Sequence, residues 1–281
     1  MASTTASRPR QRRSDFFLSF ILVCLIILTL YPFVFMIITS TKSASQFRHH
    51  YWEPVLPFHI RENYTDAWDT IDRYLLNTIY VAAISVSVGL LTTSLSGYAF
   101  ARFNFPGKRF FFSMIMLLMM IPGILQLIPN FMWCNQLGLL NTYWVLILPY
   151  IASAQAYNIY ILRTFIASLP PGLFEAAKID GASELQQYAQ IAMPLSKGIL
   201  GTLTILRFTA VWNDLIWPMI VTNDETHRTI TVGLYYYRGG THTQYGAMFA
   251  GYLIASIPLL LIFAVFMRQF MAGITSGAIK A

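Results

Sequence analysis

Glu175 to Pro194 read EAAKIDGASELQQYAQIAMP, a polar stretch in a chain that is otherwise mostly apolar. Pro170 and Pro171 stop the helix before it, and Gly172 allows a turn. Glu175 then falls in the first turn of a short helix, where a carboxylate suits the positive end of the helix dipole. Ala176 and Ala177 leave that helix with a smooth surface. Asp180-Gly181 is turn chemistry, and Ser183 with Gln186 three residues on has the spacing of a capping box that starts a second helix. Pro194 marks its end. The stretch is expected to form two short helices meeting at Gly181, where small neighbours such as Ala182 let another surface come close. A membrane-surface pair would show a broad Leu/Phe face rimmed by several bases, but Lys178 is the only base here and alanine stands where a lipid face should be. Docking into a groove of a soluble partner fits better.

The surroundings set the class. With 56% hydrophobic and 11% charged residues among 281, and a mean hydropathy of +0.54, the chain has too little polar surface for a soluble globule. A bilayer core of about 30 Å takes roughly 20 apolar residues per spanning helix. Six stretches are long enough: Phe16 to Ile38, Leu75 to Phe100, Phe110 to Trp133, Tyr143 to Leu169, Leu195 to Val221 and Ala247 to Met271. The alternating segments of about ten residues that a membrane barrel needs are missing. The expectation is an all-α integral membrane protein: a basic N-terminus over 1–15, a six-helix transmembrane domain over 16–273 carrying the polar loop 170–196 between spans four and five, and a C-terminal tail over 274–281. The first apolar run is too long for the core of a cleaved signal peptide.

Charge gives the orientation. With both termini in the cytoplasm, Arg8, Arg10, Arg12, Arg13, Arg102, Lys108, Arg109, Arg163, Lys178, Lys197, Arg268 and Lys280 fall inside. Lys42, Arg48, Arg61, Arg73, Arg228 and Arg238 fall outside. The two-to-one excess agrees with the positive-inside rule and accounts for the net charge of +7 without nucleic acid. The polar loop is then cytoplasmic. Cys24 and Cys134 lie far apart in this topology, and no ligand-spaced His/Cys cluster points to a metal; His49-His50 reads as a solvated turn.

The pattern Glu-Ala-Ala, three residues, Gly, nine residues, Ile, one residue, Leu-Pro is the signature of permease subunits of ABC importers. Glu175, Ala176, Ala177, Gly181, Ile191 and Pro194 occupy its positions, with Met193 in place of the leucine. The likeness extends to GYAFARFNFPGK (Gly97 to Lys108), GLLNTYWVLILPYIA (Gly138 to Ala152), VWNDLIWP (Val211 to Pro218) and MAGITSGAIK (Met271 to Lys280), which resemble the MalG-like branch of carbohydrate importers. The resemblance implies an inner-membrane subunit that pairs with a second, homologous permease, above a dimer of ATP-hydrolysing subunits and below an extracytoplasmic sugar-binding protein. It also implies that the polar loop is the coupling element docking in a cleft of one ATPase subunit, with Glu175 facing basic groups there and Gly181 as the bend. The tail resembles family members in which it reaches towards the ATPase dimer. The chain itself has no phosphate-binding loop, since Gly107-Lys108 lacks the preceding glycine spacing and the following hydroxyl. The resemblance then implies a transport subunit that is not an enzyme and binds no cofactor of its own, with ATP and Mg held by partner chains.

Sugars are held through their hydroxyls and by aromatic faces, so Trp212, Asn213, Asp214 and Trp217 in the fifth span, with Gln155, Tyr157 and Asn158 in the fourth, are the candidate pathway residues. Equally, intramembrane Trp and Tyr form interfacial belts and polar residues join helices, and the resemblance implies that the second permease can carry most of the sugar contacts. Gly233 to Gly246 reads equally as an outer loop that meets the binding protein or as a capped surface loop. Arg207, near the middle of the fifth span, costs at least about 2.5 kcal/mol unless it faces protein or water. It either pairs with Asp214 seven residues on or with an acid of the second permease, or it lines the pathway and favours an acidic oligosaccharide such as a uronate. From another class, Asp214 and the Pro258 break also suit an ion-coupled secondary transporter. A membrane-embedded enzyme lacks any intramembrane His/Cys/Asp constellation.

Overall fold

Proline and glycine placement explains most of the architecture. The computed structural model describes the backbone of residues 9–238 and 244–278, and the side chains of residues 17–237 and 244–271. Every regular element among them is helical: α1 (Pro9–Ser40), α2 (Ala44–His49), α3 (Ile60–Arg102), α4 (Lys108–Met119), α5 (Leu127–Gln136), α6 (Trp144–Ser153), α7 (Gln155–Ala167), α8 (Pro171–Ile179), α9 (Glu184–Gln187), α10 (Met193–Leu195), α11 (Lys197–Asn213), α12 (Ile216–Val221), α13 (Ile230–Arg238) and α14 (Tyr245–Ala278). The N-terminal arginines and the tail 274–281 fall on side chains or residues outside those described.

Among the described residues, only α1, α3 and α14 are long and apolar enough to cross a bilayer unbroken. Three further bent pairs bring the candidates to at most six. The straight third span expected over Phe110 to Trp133 is in fact α4 and a limb over Gly123–Gln136 that meet at 97°. Pro122 supplies the reason: it has no N–H for the ladder and drives Ile121 out of the helical region, and a 3₁₀ turn at Gly123–Gln126 restarts the chain. The fourth expected span is the pair α6 and α7, which bends by 41° at Ala154. The expected fifth span is likewise interrupted, because α11 ends at Asn213 and Asp214 is extended at φ −70°, ψ 122°. The second span begins earlier than expected. Its polar first part, Ile60 to Tyr74, is already helical, so α3 runs for 43 residues, roughly 65 Å at 1.5 Å per residue.

The chain divides into two compact units, residues 1–70 with 237–254, and residues 71–236 with 255–281. In the first, the fully buried Lys42 donates from Nζ to the carbonyls of His50 (2.7 Å) and Tyr51 (3.0 Å), closing the loop after α1. Burial lowers the pKa of that ammonium, against the opposing pull of Glu53. Asn63 ties the same turn by donating to the carbonyls of Ser40 and Lys42, and Phe47 stacks on Tyr245 at 4.4 Å.

The second unit holds the bent helices. Asn77 on α3 donates to the carbonyls of Thr226 and Arg228 and accepts from the Tyr143 hydroxyl, which pins the loop before α13. Part of the loop expected from Gly233 is helical: α13 continues to Arg238, and the bare Cα of Gly233 lets the Tyr74 ring lie where a Cβ would be, 2.2 Å from Cδ2. Residues 239–243 of that loop lie outside the described residues.

Candidate functional sites: a cavity at three helix breaks and an exposed helix pair

The breaks in the second unit converge. A cavity of about 360 Å³ is lined by Gln126 and Asn130 from the limb after Pro122, by Pro149, Tyr150, Ser153 and Tyr157 around the α6–α7 bend, and by Asp214 and Trp217 at the α11–α12 interruption. Interrupted helices expose backbone groups that side chains must satisfy, since lipid offers no partner. That need accounts for much of the local chemistry here. Pro149 has no N–H to give to the carbonyl of Val145 one turn back, and Trp217 Nε1 donates to that carbonyl at 3.0 Å. The carbonyl of Tyr150, four residues before the break, accepts from Arg207 Nη2. Across the same break, the two N–H groups of Gln155 Nε2 are shared among the carbonyls of Ile151 (2.9 Å) and Gly89 (3.0 Å) and Thr92 Oγ1, while its Oε1 accepts from Thr93. The C-terminal carbonyl of Trp212 accepts from Thr231 Oγ1 at 2.6 Å.

Asp214 is the ionisable carboxylate of the cavity. One oxygen accepts from the Tyr150 hydroxyl at 2.8 Å, and the other receives the backbone N–H of Trp217 at 3.4 Å, as an acid does at the start of a helix. Arg207 is buried, at 8% exposure, and forms no ion pair with Asp214; Tyr150 stands between them, taking Arg207 on its carbonyl and giving its hydroxyl to Asp214. The direct pair weighed from the i, i+7 spacing is therefore replaced by a bridge through a third residue. The reason is reach: about 10 Å along the axis separates the two positions.

The cavity thus gathers Tyr157, Asp214 and Trp217 of the sequence candidates, and Gln155 lines an adjoining hollow of about 440 Å³. Trp212 is buried against Phe208 (centroids 5.3 Å apart), Asn158 is buried, and Asn213 is exposed at the end of α11; none of these lines the cavity, nor does Arg207. Sequence reading missed Gln126, Asn130, Tyr150 and Ser153. The signal was present for the first two, which stand i, i+4 in an apolar run just after Pro122-Gly123.

The polar stretch forms the second site. Helix α8 starts at Pro171 rather than after Gly172, because proline at the first helical position loses no bond. Glu175 consequently sits in the second turn, not the first. Asp180 caps α8 and Gly181 is left-handed at φ +82°, the conformation its lack of a Cβ permits. Ser183 and Gln186 form the capping box in both directions. The helical limb Glu184–Leu195 contains one π turn over Tyr188–Ala192 and passes Pro194 by one residue before bending 74° into α11.

This pair has two unlike faces. Inward, Phe174 (1% exposed) and Ala192 pack against Tyr98, Leu162 and Ile166, and Arg102 lies over the Phe174 ring at 3.9 Å. Tyr188 meets Ser94 at 2.7 Å, and the Tyr98 hydroxyl donates to Glu184 at 3.2 Å. Outward, Glu175, Ala176, Asp180, Gly181 and Pro194 are exposed, Ala177, Ala182 and Ile191 are half-buried, and Ile179 and Leu185 are bare at 86% and 69%. These two apolar residues also escaped the sequence reading, because spacing alone does not say which side the bend turns out.

Residues 85–275 match the family described as the inner membrane component of binding-protein-dependent transport systems. The chain belongs to this family. The match spans the cavity and the exposed helix pair together, and it leaves the ion-coupled alternative without support. Curated relatives agree. A probable ABC transporter permease protein of Bacillus subtilis, YurM, is 32% identical over 89% of this chain and 83% of its own. The lactose transport system permease protein LacG of Rhizobium radiobacter is 30% identical over 96% of this chain and 98% of its own. A crystal structure of a bacterial ABC transporter involved in the import of the acidic polysaccharide alginate contains a chain with the same fold, at TM-score 0.81 and 22% identity over 95% of this chain and 100% of that one.

Proposed function

We propose that this chain is a permease subunit of a binding-protein-dependent ABC importer that moves a carbohydrate across the bacterial cytoplasmic membrane. The single observation that carries the reading is the polar helix pair: one face is locked to α3 and α7, and the other presents Glu175, Ile179 and Leu185 around a left-handed Gly181 with none of the described residues over them. A solvated loop gains nothing from two bare aliphatic side chains at its bend, whereas a docking ridge does. The family and the sugar-transporting relatives supply the class of cargo.

In this proposal the bent pairs complete a six-span bundle with both termini in the cytoplasm. The partners are a second, homologous permease, two ATP-binding subunits that hold ATP and Mg, and an extracytoplasmic sugar-binding protein. The apolar side chains of α1, exposed along Phe17 to Leu30, are then covered by lipid or by the second permease. Binding energy from the ATPase reaches the cavity through rigid parts: the limb Glu184–Leu195 is bonded to α3, and α11 runs from its end to the Asp214 break. The partner must prefer one of two permease conformations for this to do work. The pathway comprises Tyr157, Asp214 and Trp217 with Gln126, Asn130 and Ser153, and the tail 274–281 approaches the ATPase dimer.

The test is reconstitution of the co-purified complex in proteoliposomes. Expected are sugar uptake that requires ATP and binding protein but no ion gradient, and loss of both uptake and stimulated ATPase in Glu175→Lys. Removal of 274–281 is expected to lower ATPase stimulation without lowering membrane insertion. Uptake driven by a sodium or proton gradient without ATP would overturn the reading.

A further inference from the structure

The cavity has one formal charge and it is negative. Among the residues lining it and the adjoining hollow, Asp214 is the only acid or base besides neutral Tyr and Cys side chains, and Arg207, which gives Nη2 to the Tyr150 carbonyl, lines neither. We infer that Asp214 is the residue that reads the cargo's charge, accepting hydrogen bonds from sugar hydroxyls or from an ammonium, so that the cavity admits neutral or amino-bearing sugars and excludes uronates. This rests on the proposed transport of carbohydrate and names the class.

Three observations support it. Asp214 is half-exposed at the cavity wall, and its two hydrogen bonds leave about half of a carboxylate's capacity for incoming donors. Its neighbours in the wall, Gln126, Asn130, Ser153 and Tyr157, are uncharged and suited to hydroxyls, while Trp217 contributes an aromatic ring. Arg207, the residue that would welcome a carboxylate, is buried and holds the Tyr150 carbonyl. To reach the cavity it would have to abandon that carbonyl beside the α6–α7 break. A carboxylate cargo would therefore meet a fixed like charge in a partly dehydrated wall, where repulsion is weakly screened.

The experiment uses the assembled importer with Cys24 and Cys134 replaced by serine and Ser153→Cys placed in the cavity. Rates of thiol modification by a cationic and an anionic methanethiosulfonate are compared. The cationic reagent is expected to be favoured, after correction for intrinsic reactivity, by about tenfold, the factor that one pK-sized interaction gives. Asp214→Asn, which keeps a carbonyl oxygen for the Tyr150 hydroxyl, is expected to remove most of that preference. A glucosamine disaccharide or cellobiose should slow modification, and a galacturonate disaccharide should not until Asp214 is changed. Equal rates for the two reagents, a preference that survives Asp214→Asn, or protection by the galacturonate disaccharide in the Asp214 protein would each overturn the inference. Should Asp214→Asn fail to assemble, Tyr150→Phe retains the acid and must retain the cationic preference. ATP-dependent uptake by the unmodified complex is scored separately, so failure of the transport reading is recognised on its own.

Discussion

Trp217 Nε1 lies 3.0 Å from the carbonyl of Val145, the acceptor that Pro149 leaves without its helical donor. A gap that one proline leaves in the hydrogen-bond ladder of α6 is thus filled by a side chain from the next broken span, and that bond joins two parts of the cavity wall. Trp217→Phe keeps the ring but strands the carbonyl. The expected loss is about 1–3 kcal/mol, the cost of a buried unsatisfied group. Pro149→Ala restores a backbone N–H beneath Val145, so the same Trp217→Phe change should cost clearly less in that background. A double-mutant cycle on thermal unfolding of the purified complex checks this, and equal costs in both backgrounds would show that the bond is idle.

Gly181 has φ +82°, and none of the described residues lies within 4 Å of where its Cβ would be. Substitution effects there arise from the backbone, not from crowding within this chain. Gly181→Ala is expected to cost about 1–2 kcal/mol of local strain and Gly181→Val more, with Gly181→Asn the mildest. Transport coupled to ATP hydrolysis should fall in the order Asn, Ala, Val while the subunit still inserts and assembles. Normal transport by an assembled Gly181→Val complex would contradict the role given to the bend.

The outer face of the helix pair makes a separate prediction. Ile179→Asp and Leu185→Asp alter side chains that are bare in this chain, so the isolated permease should be as stable as before, within about 0.5 kcal/mol. Co-purification of the ATPase subunits should nevertheless drop sharply. Retention of the ATPase by the double variant would remove these residues from the docking surface.

Gly201 on α11 lies against α14, where a Cβ would stand 2.4 Å from Gln269 Cβ. The obstacle is the root of a side chain and cannot swing away, so Gly201→Ala must push the helices apart. Overpacking of this kind costs about 1–3 kcal/mol. Detergent stability of the complex should fall accordingly, whereas Gly123→Ala, with open space at its Cβ, serves as the neutral control.

Composition and the lengths of the apolar runs determined that this chain is built of apolar helices, because a bilayer demands runs of that length and forbids unpaired backbone. The polar stretch was equally legible: Asp180-Gly181 and the Ser183–Gln186 box act through neighbours within a few residues, and local chemistry suffices to specify them. Tertiary structure decided what those elements face. Phe174 inward and Ile179 outward depend on how the pair lies against α3 and α7, which no local spacing encodes. Arg207 shows the same division. The sequence demanded a buried partner for it and offered Asp214, the acid in register. The fold supplied the Tyr150 carbonyl instead, because a broken helix brings a bare acceptor nearer than a carboxylate two turns along. Charge placement could be read from the chain, but the direction of each charge belongs to the packing of helices distant in sequence.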